Sequence, residues 1–122
     1  MTSPTTDVVF DKQDQLDRVQ ELLLPGEKLA MVFDCKGRGS GFVGITDRRI
    51  IIRDDGFAKY KKSTLSIPYA KIHAVGVDSE KGWGKGSSSL AVSAGDDDWL
   101  LEFKGEERAK DAYFAVIQHV LA

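Results

Sequence analysis

The 122-residue chain holds one cysteine, three prolines and two histidines, and no long apolar run. A lone thiol, Cys35, closes no internal disulfide and brings no second thiolate to a metal, which fits a reducing compartment. No uninterrupted apolar stretch approaches the ~20 residues that a membrane-spanning helix needs. The segment Met1 to Asp7 has neither the basic start nor the apolar core of a signal peptide. A large net charge is missing too: 17 Lys and Arg against 19 Asp and Glu leave −2. These absences exclude a secreted, disulfide-framed or membrane-spanning protein and a strongly basic nucleic-acid binder, and they place the chain in the cytoplasm. What is present, 42% hydrophobic and 30% charged residues, is ordinary for one globular domain. A chain of this size buries about two-thirds of its unfolded surface, enough for one core without staples.

The near-neutral total is a cancellation. Residues 1–35 carry −4, residues 36–71 carry +6 and residues 72–122 carry −4. A basic middle between acidic ends offers an anionic partner a place to bind, or one copy of the chain a complement on another.

Along the chain, residues 1–10 read as a frayed or disordered terminus and 11–122 as a single domain. Leu16, Val19 and Leu23 recur at helical spacing, with Asp11 or Asp14 able to cap the start and Pro25-Gly26 to stop it. From Glu27 the period drops to two. Leu29, Met31, Phe33 and Cys35 fall on one strand face and Lys28, Ala30, Val32 and Asp34 on the other. Cys35 is then a small core residue at a strand end. Further strands are expected at Phe42–Ile45, Arg49–Arg53, Tyr60–Ile67, Ile72–Val77, Leu90–Ala94 and Trp99–Phe103. Their links are the turns Thr46-Asp47-Arg48 and Asp54-Asp55-Gly56, the Gly- and Ser-rich stretch 80–89, and Gly95-Asp96-Asp97-Asp98. Pro68 suits a strand end or edge. Ala109, Ala112, Tyr113, Val116, Ile117 and Val120 close the chain with an amphipathic helix whose first turn holds Glu106 and Glu107. Seven short strands joined by turns imply a mainly β fold, an antiparallel β-barrel or sandwich with a short N-terminal helix and a C-terminal α-helix capping one open end.

Three segments resemble the bacterial pleckstrin-homology-like domains, in particular the YokE-like group. They are Leu24-Pro25-Gly26-Glu27, the stretch from Gly41 to Ile52 with Thr46-Asp47-Arg48-Arg49 at its turn, and Ser66-Ile67-Pro68-Tyr69-Ala70-Lys71-Ile72. With the closing helix the resemblance spans roughly residues 21–121. It implies a seven-stranded, two-sheet PH-like barrel or sandwich with a C-terminal helix, in agreement with the strand count. It also implies a binding module: eukaryotic members often hold phosphoinositide head groups through bases around the first hairpin, others bind proteins, and some bacterial relatives form homo-oligomeric rings.

Lys28, Lys36 and Arg38 match the loose pattern of a strand lysine followed by basic-x-basic at the first hairpin. A glycine-rich turn can wrap its amides and a guanidinium around a phosphate. Lys59, Lys61 and Lys62 extend that anion- or lipid-binding set if they converge on the same rim. Trp83, between glycines and flanked by Lys81 and Lys85, is a candidate contact for a membrane interface or a protein partner, or it folds back over its own sheet. An enzyme is not expected. His73 and His119 lack the spaced partners of a zinc site, Asp96-Asp97-Asp98 lacks the spacing of a calcium loop, and no serine sits in a nucleophile elbow. No metal or other cofactor is expected either. Nucleic acid is an unsuitable partner, since only Tyr60 and Tyr69 stand in the basic middle as stacking residues. The sequence therefore points to a non-enzymatic PH-like interaction module acting by homo-oligomerisation or protein binding. The alternative is peripheral binding to anionic lipid head groups through the first-hairpin bases.

Overall fold

Hydrophobic alternation and tight turns build eight strands and two helices in the computed structural model, which describes residues 8–36, 40–54, 63–80 and 86–122. The order is β1 (Val9–Phe10), α1 (Gln13–Gln20), β2 (Leu29–Lys36), β3 (Ser40–Thr46), β4 (Arg49–Asp54), β5 (Ser63–Pro68), a 3₁₀ turn (Tyr69–Lys71), β6 (Ile72–Glu80), β7 (Ser87–Ala94), β8 (Asp97–Lys104) and α2 (Arg108–Val120). Antiparallel neighbours run β5-β4-β3-β2 and β8-β7-β6, and β1 adds to β2 in parallel through Val9↔Met31 and Phe10↔Val32. Among the described residues the pair Lys36↔Glu102 joins β2 to β8. The strands therefore form a five-stranded and a three-stranded sheet, with α2 packed between them.

Two expectations change here. The strands number eight, and they make a sandwich that does not close into a barrel: among the described residues β5 pairs only with β4, and β6 only with β7. The eighth strand, β1, arises from residues expected to be frayed. Val8 is buried and Asp11 N donates to Val32 O at 3.2 Å. Two residues in a long-range parallel pair leave no alternation to read.

The main core lies between the sheets, filled by Phe33, Cys35, Val43, Ile45, Ile50 and Ile52 from one and Leu90, Val92, Leu101 and Phe103 from the other, closed by Ala109, Ala112 and Val116 of α2. Cys35 is accordingly a buried core residue. A second, smaller core lies on the other face of β2–β4, where Leu16 and Val19 of α1 cover Val8, Val32, Phe42 and Ile51. Burial on both faces explains the unbroken run Ile50-Ile51-Ile52. Leu29, expected on the face of Met31, packs in this second core because the β2–β3 register shifts between the two residues. Asp11 does not cap α1, whose N-cap is Lys12. Its carboxylate accepts instead from Asp34 N (3.1 Å) and from Arg108 Nη2 (2.8 Å). At Gly44 the helix comes so close that an added Cβ would lie 2.8 Å from Val19 Cγ1.

Candidate functional site

The motif segments converge on one corner, and their role there is structural. Gly26, with φ +82°, turns the chain so that Glu27 enters the interior. Glu27 Oε1 accepts from Leu24 N and Arg49 Nη2, each at 2.9 Å. Its Oε2 accepts from Arg49 Nε at 2.9 Å and Thr46 Oγ1 at 2.7 Å. Arg49 also donates from Nη2 to Leu22 O (2.7 Å) and from Nη1 to Ser66 Oγ (2.8 Å), so one guanidinium joins the end of α1, the lead-in to β2, and β4 to β5. Both oxygens of the buried carboxylate are fully engaged. The Arg49 hydrogen bonds, opposed by desolvation and helped by Leu24 and Thr46, hold the Glu27 carboxyl down at about 2. Thr46 Oγ1 also accepts from Arg48 N and Arg49 N (3.0 Å each), and Asp47 brackets Lys28 with two bonds of 2.9 Å, its carboxylate Oδ1 accepting from Lys28 N and its main-chain N donating to Lys28 O. Tyr69, expected as an exposed stacking residue, is buried. Its hydroxyl donates to Thr46 O at 2.6 Å and its ring stacks on His119 at 4.8 Å. Burial, then the charges of Asp47 and Glu27, push its phenol upward.

Of the candidate anion-binding residues, Lys28 is exposed at this corner. Lys36 is the last residue of β2, eight positions on, roughly 26 Å away at a strand's rise per residue. The fold does not bring the two together. Arg38, Lys59, Lys61, Lys62 and Trp83 lie outside the described residues. Their anchor points are described, and they share one end of the sandwich. Lys36 pairs with Ser40, Gly41 with Asp54, Asp54 with Ser63 and Lys36 with Glu102, while Glu80 and Ser87 pair two positions further along. The described residues that flank 37–39, 55–62 and 81–85 thus share that end. At the opposite end Asp96, Asp97 and Asp98 stand exposed in and after the β7–β8 turn.

The side of the sandwich between β5 and β6 is a feature that sequence reading missed. Leu65 pairs with Ile52 and Val77 with Leu90, and both partners are core residues, so Leu65 and Val77 face inward. Yet they are 38% and 37% exposed. The two sheets meet at the buried corner Ile67, Tyr69 and Ile72 and part from there. Alternation predicts the facing of these side chains; whether a neighbouring strand covers them is set by the closure of the fold. A groove of about 590 Å3 lies elsewhere, between β1, β2 and α2, floored by Met31, Phe33 and Ala115 and rimmed by Val9, Phe114 and Gln118. Among the described residues no three His, Cys, Asp or Glu side chains gather as a metal site requires, and no helix is long and apolar enough to cross a membrane.

A five-stranded and a three-stranded sheet, antiparallel except for β1, with a helix between them and entered through the Glu27 corner, define a PH-like domain. The family model for the bacterial PH domain matches residues 23–117, and the chain belongs to that family. Three solved structures share the fold at 19% identity. A pleckstrin homology domain from Shewanella amazonensis superposes with a TM-score of 0.63, covering 92% of this chain and 100% of that one. A DUF1696 family protein with a pleckstrin-homology domain from Shewanella loihica does so at 0.62, over 90% and 94%. The C-terminal domain of an unknown protein from Leishmania infantum reaches 0.61, over 91% and 100%. No curated protein matches the chain.

Proposed function

We propose that this domain is an interaction module that does no chemistry of its own and works by binding protein, in the first place further copies of itself. The observation that carries this reading is the open side: two strand edges that no other described strand pairs with, each with an inward-facing aliphatic side chain more than a third exposed. Apolar surface next to free backbone donors and acceptors is the surface that a further strand covers. Size-exclusion chromatography with light scattering, over a concentration and a salt series, tests it. A mass that rises above 13.4 kDa with concentration is expected. A monomer at every concentration and salt contradicts it. The salt series also separates geometries. A head-to-tail contact between the exposed Asp96–Asp98 end and the basic segments weakens steeply with salt, whereas a contact along the open side, mainly apolar and main-chain, weakens little.

A second reading, peripheral binding to anionic lipid head groups through Lys36, Arg38, Lys59, Lys61 and Lys62, is supported by the basic charge of the middle of the chain and by the one end of the sandwich that Lys36, Ser40, Asp54 and Ser63 share. Each base near an anionic surface contributes about 1 kcal/mol. Sedimentation with phosphatidylglycerol vesicles, comparing the natural chain with Lys36→Glu plus Arg38→Glu, tests this reading. Binding that the double variant loses supports it, and absent or unchanged binding counts against it. Both readings place the domain in the cytoplasm, in the second case against the membrane.

A further inference from the structure

We infer that the second copy docks along the open edge of β6, antiparallel, β6 against β6, in a two-fold symmetric pair centred on Gly76. The inference rests on the self-association proposed above and names the surface that performs it.

Free strand edges are commonly blunted by lysine, proline or a bulge. β5, six residues long, ends in Pro68. β6 is nine residues long, Ile72-His-Ala-Val-Gly-Val-Asp-Ser-Glu80, with neither lysine nor proline. Its one irregularity falls between Ile72 and Ala74. From Ala74 to Asp78 the edge is regular, and no other described strand pairs with it.

Register follows from side chains and charge. Centring the pair on Gly76 sets Val75 of each copy opposite Val77 of the other. The four valines then lie on the core-facing side, over the gap that leaves Val77 37% exposed. The same register sets Asp78 beside the other copy's Ala74, toward its His73 and Lys71. Lys71, His73 and Asp78 are all exposed. Lys71 stands immediately before the strand and Asp78 beyond its middle, so an antiparallel copy brings the acid of one chain toward the base of the other. A parallel copy would set like charges together. On the outer face Gly76, Ala91 and Leu100 align across the three strands, and a small residue at the axis leaves the backbones free to approach.

The register makes a specific test. Across an antiparallel pair directly opposed Cα atoms lie about 4.5–5.5 Å apart, within disulfide range. An added Cβ at Gly76 meets only Ala91 Cβ, at 3.9 Å, so a cysteine fits there. Cys35 is buried and does not compete. Gly76→Cys is expected to form a disulfide-linked dimer under mild oxidation. Ala91→Cys, one strand inward and about 14 Å from its counterpart by strand spacing, is not. Val77→Lys, an inward charge at the edge, is expected to weaken self-association at least tenfold with native circular dichroism retained. Asp78→Lys is expected to weaken it as well, and Lys71→Asp with Asp78→Lys to restore it. A natural chain that self-associates while Gly76→Cys stays uncrosslinked and Val77→Lys associates normally overturns this surface and leaves self-association standing. A natural chain that is monomeric throughout overturns both. Should Val77→Lys fail to fold, the Gly76→Cys crosslink decides.

Discussion

Arg49 holds Glu27 with two hydrogen bonds of 2.9 Å from Nε and Nη2, and the Glu27 carboxylate they hold is fully buried. An ion pair that deep is more costly to break than to replace. Glu27→Ala leaves Arg49 without its counter-charge and Leu24 N and Thr46 Oγ1 without their acceptor. It is expected to lose about 3–5 kcal/mol in urea unfolding, a large share of an ordinary domain's stability. Glu27→Met combined with Arg49→Met removes both charges and is expected to cost less than Glu27→Ala alone. A double variant as unstable as the sum of the singles contradicts this account of the corner.

The same pair sets an acid limit. Glu27 ionises at about 2 in the fold against 4.5 for a free side chain. The unfolded chain therefore binds more protons between these values, and the contribution is complete above about pH 4.5. It falls as pH drops through that window and is gone below about 2. The gap corresponds to roughly 3 kcal/mol. Urea midpoints measured from pH 6 down to 3 are expected to fall for the natural chain and to flatten in Glu27→Gln. Parallel curves contradict the assignment to Glu27.

Gly44 is where α1 touches the sheet. Gly44→Ala drives a methyl to 2.8 Å from Val19 Cγ1 and is expected to cost about 1–3 kcal/mol by overpacking. Val19→Ala opens a cavity and also destabilises. Together the two are expected to cost less than their sum, since each relieves the other. Chemical denaturation of the four proteins gives the coupling, and strict additivity places the helix elsewhere.

Tyr69→Phe removes the hydroxyl that donates to Thr46 O and leaves the ring on His119. The buried carbonyl loses that partner, at an expected cost of about 1–2 kcal/mol in thermal or urea unfolding. An unchanged midpoint contradicts a role for this bond in pinning the β5–β6 corner to the β3–β4 turn.

The strand and helix pattern was largely legible because one-sided burial leaves a period. Leu65 and Ile67, Leu90 and Val92, and Leu101 and Phe103 each report a facing side. Legibility ends where a property belongs to more than one segment. β1 has two residues and a partner more than twenty positions away. The Leu29–Met31 register shift reverses a facing without altering composition. Tyr69 is buried by His119 and Thr46, neither adjacent in sequence. Lys28 and Lys36 look close in a motif and sit at opposite ends of one strand. The exposure of Leu65 and Val77 depends on sheets that part without closing, and alternation is the same in an open sandwich as in a closed barrel. The Glu27-to-Arg49 segments identified the fold because they are its polar corner.

Amide hydrogen exchange of the natural chain at low and high protein concentration tests the central claim, association through the open side, most directly. The account predicts that the β6 amides at the free edge exchange more slowly as concentration rises, while those of the buried strand β3 do not change. Exchange along β6 that is independent of concentration, in a protein whose mass stays at 13.4 kDa, contradicts it.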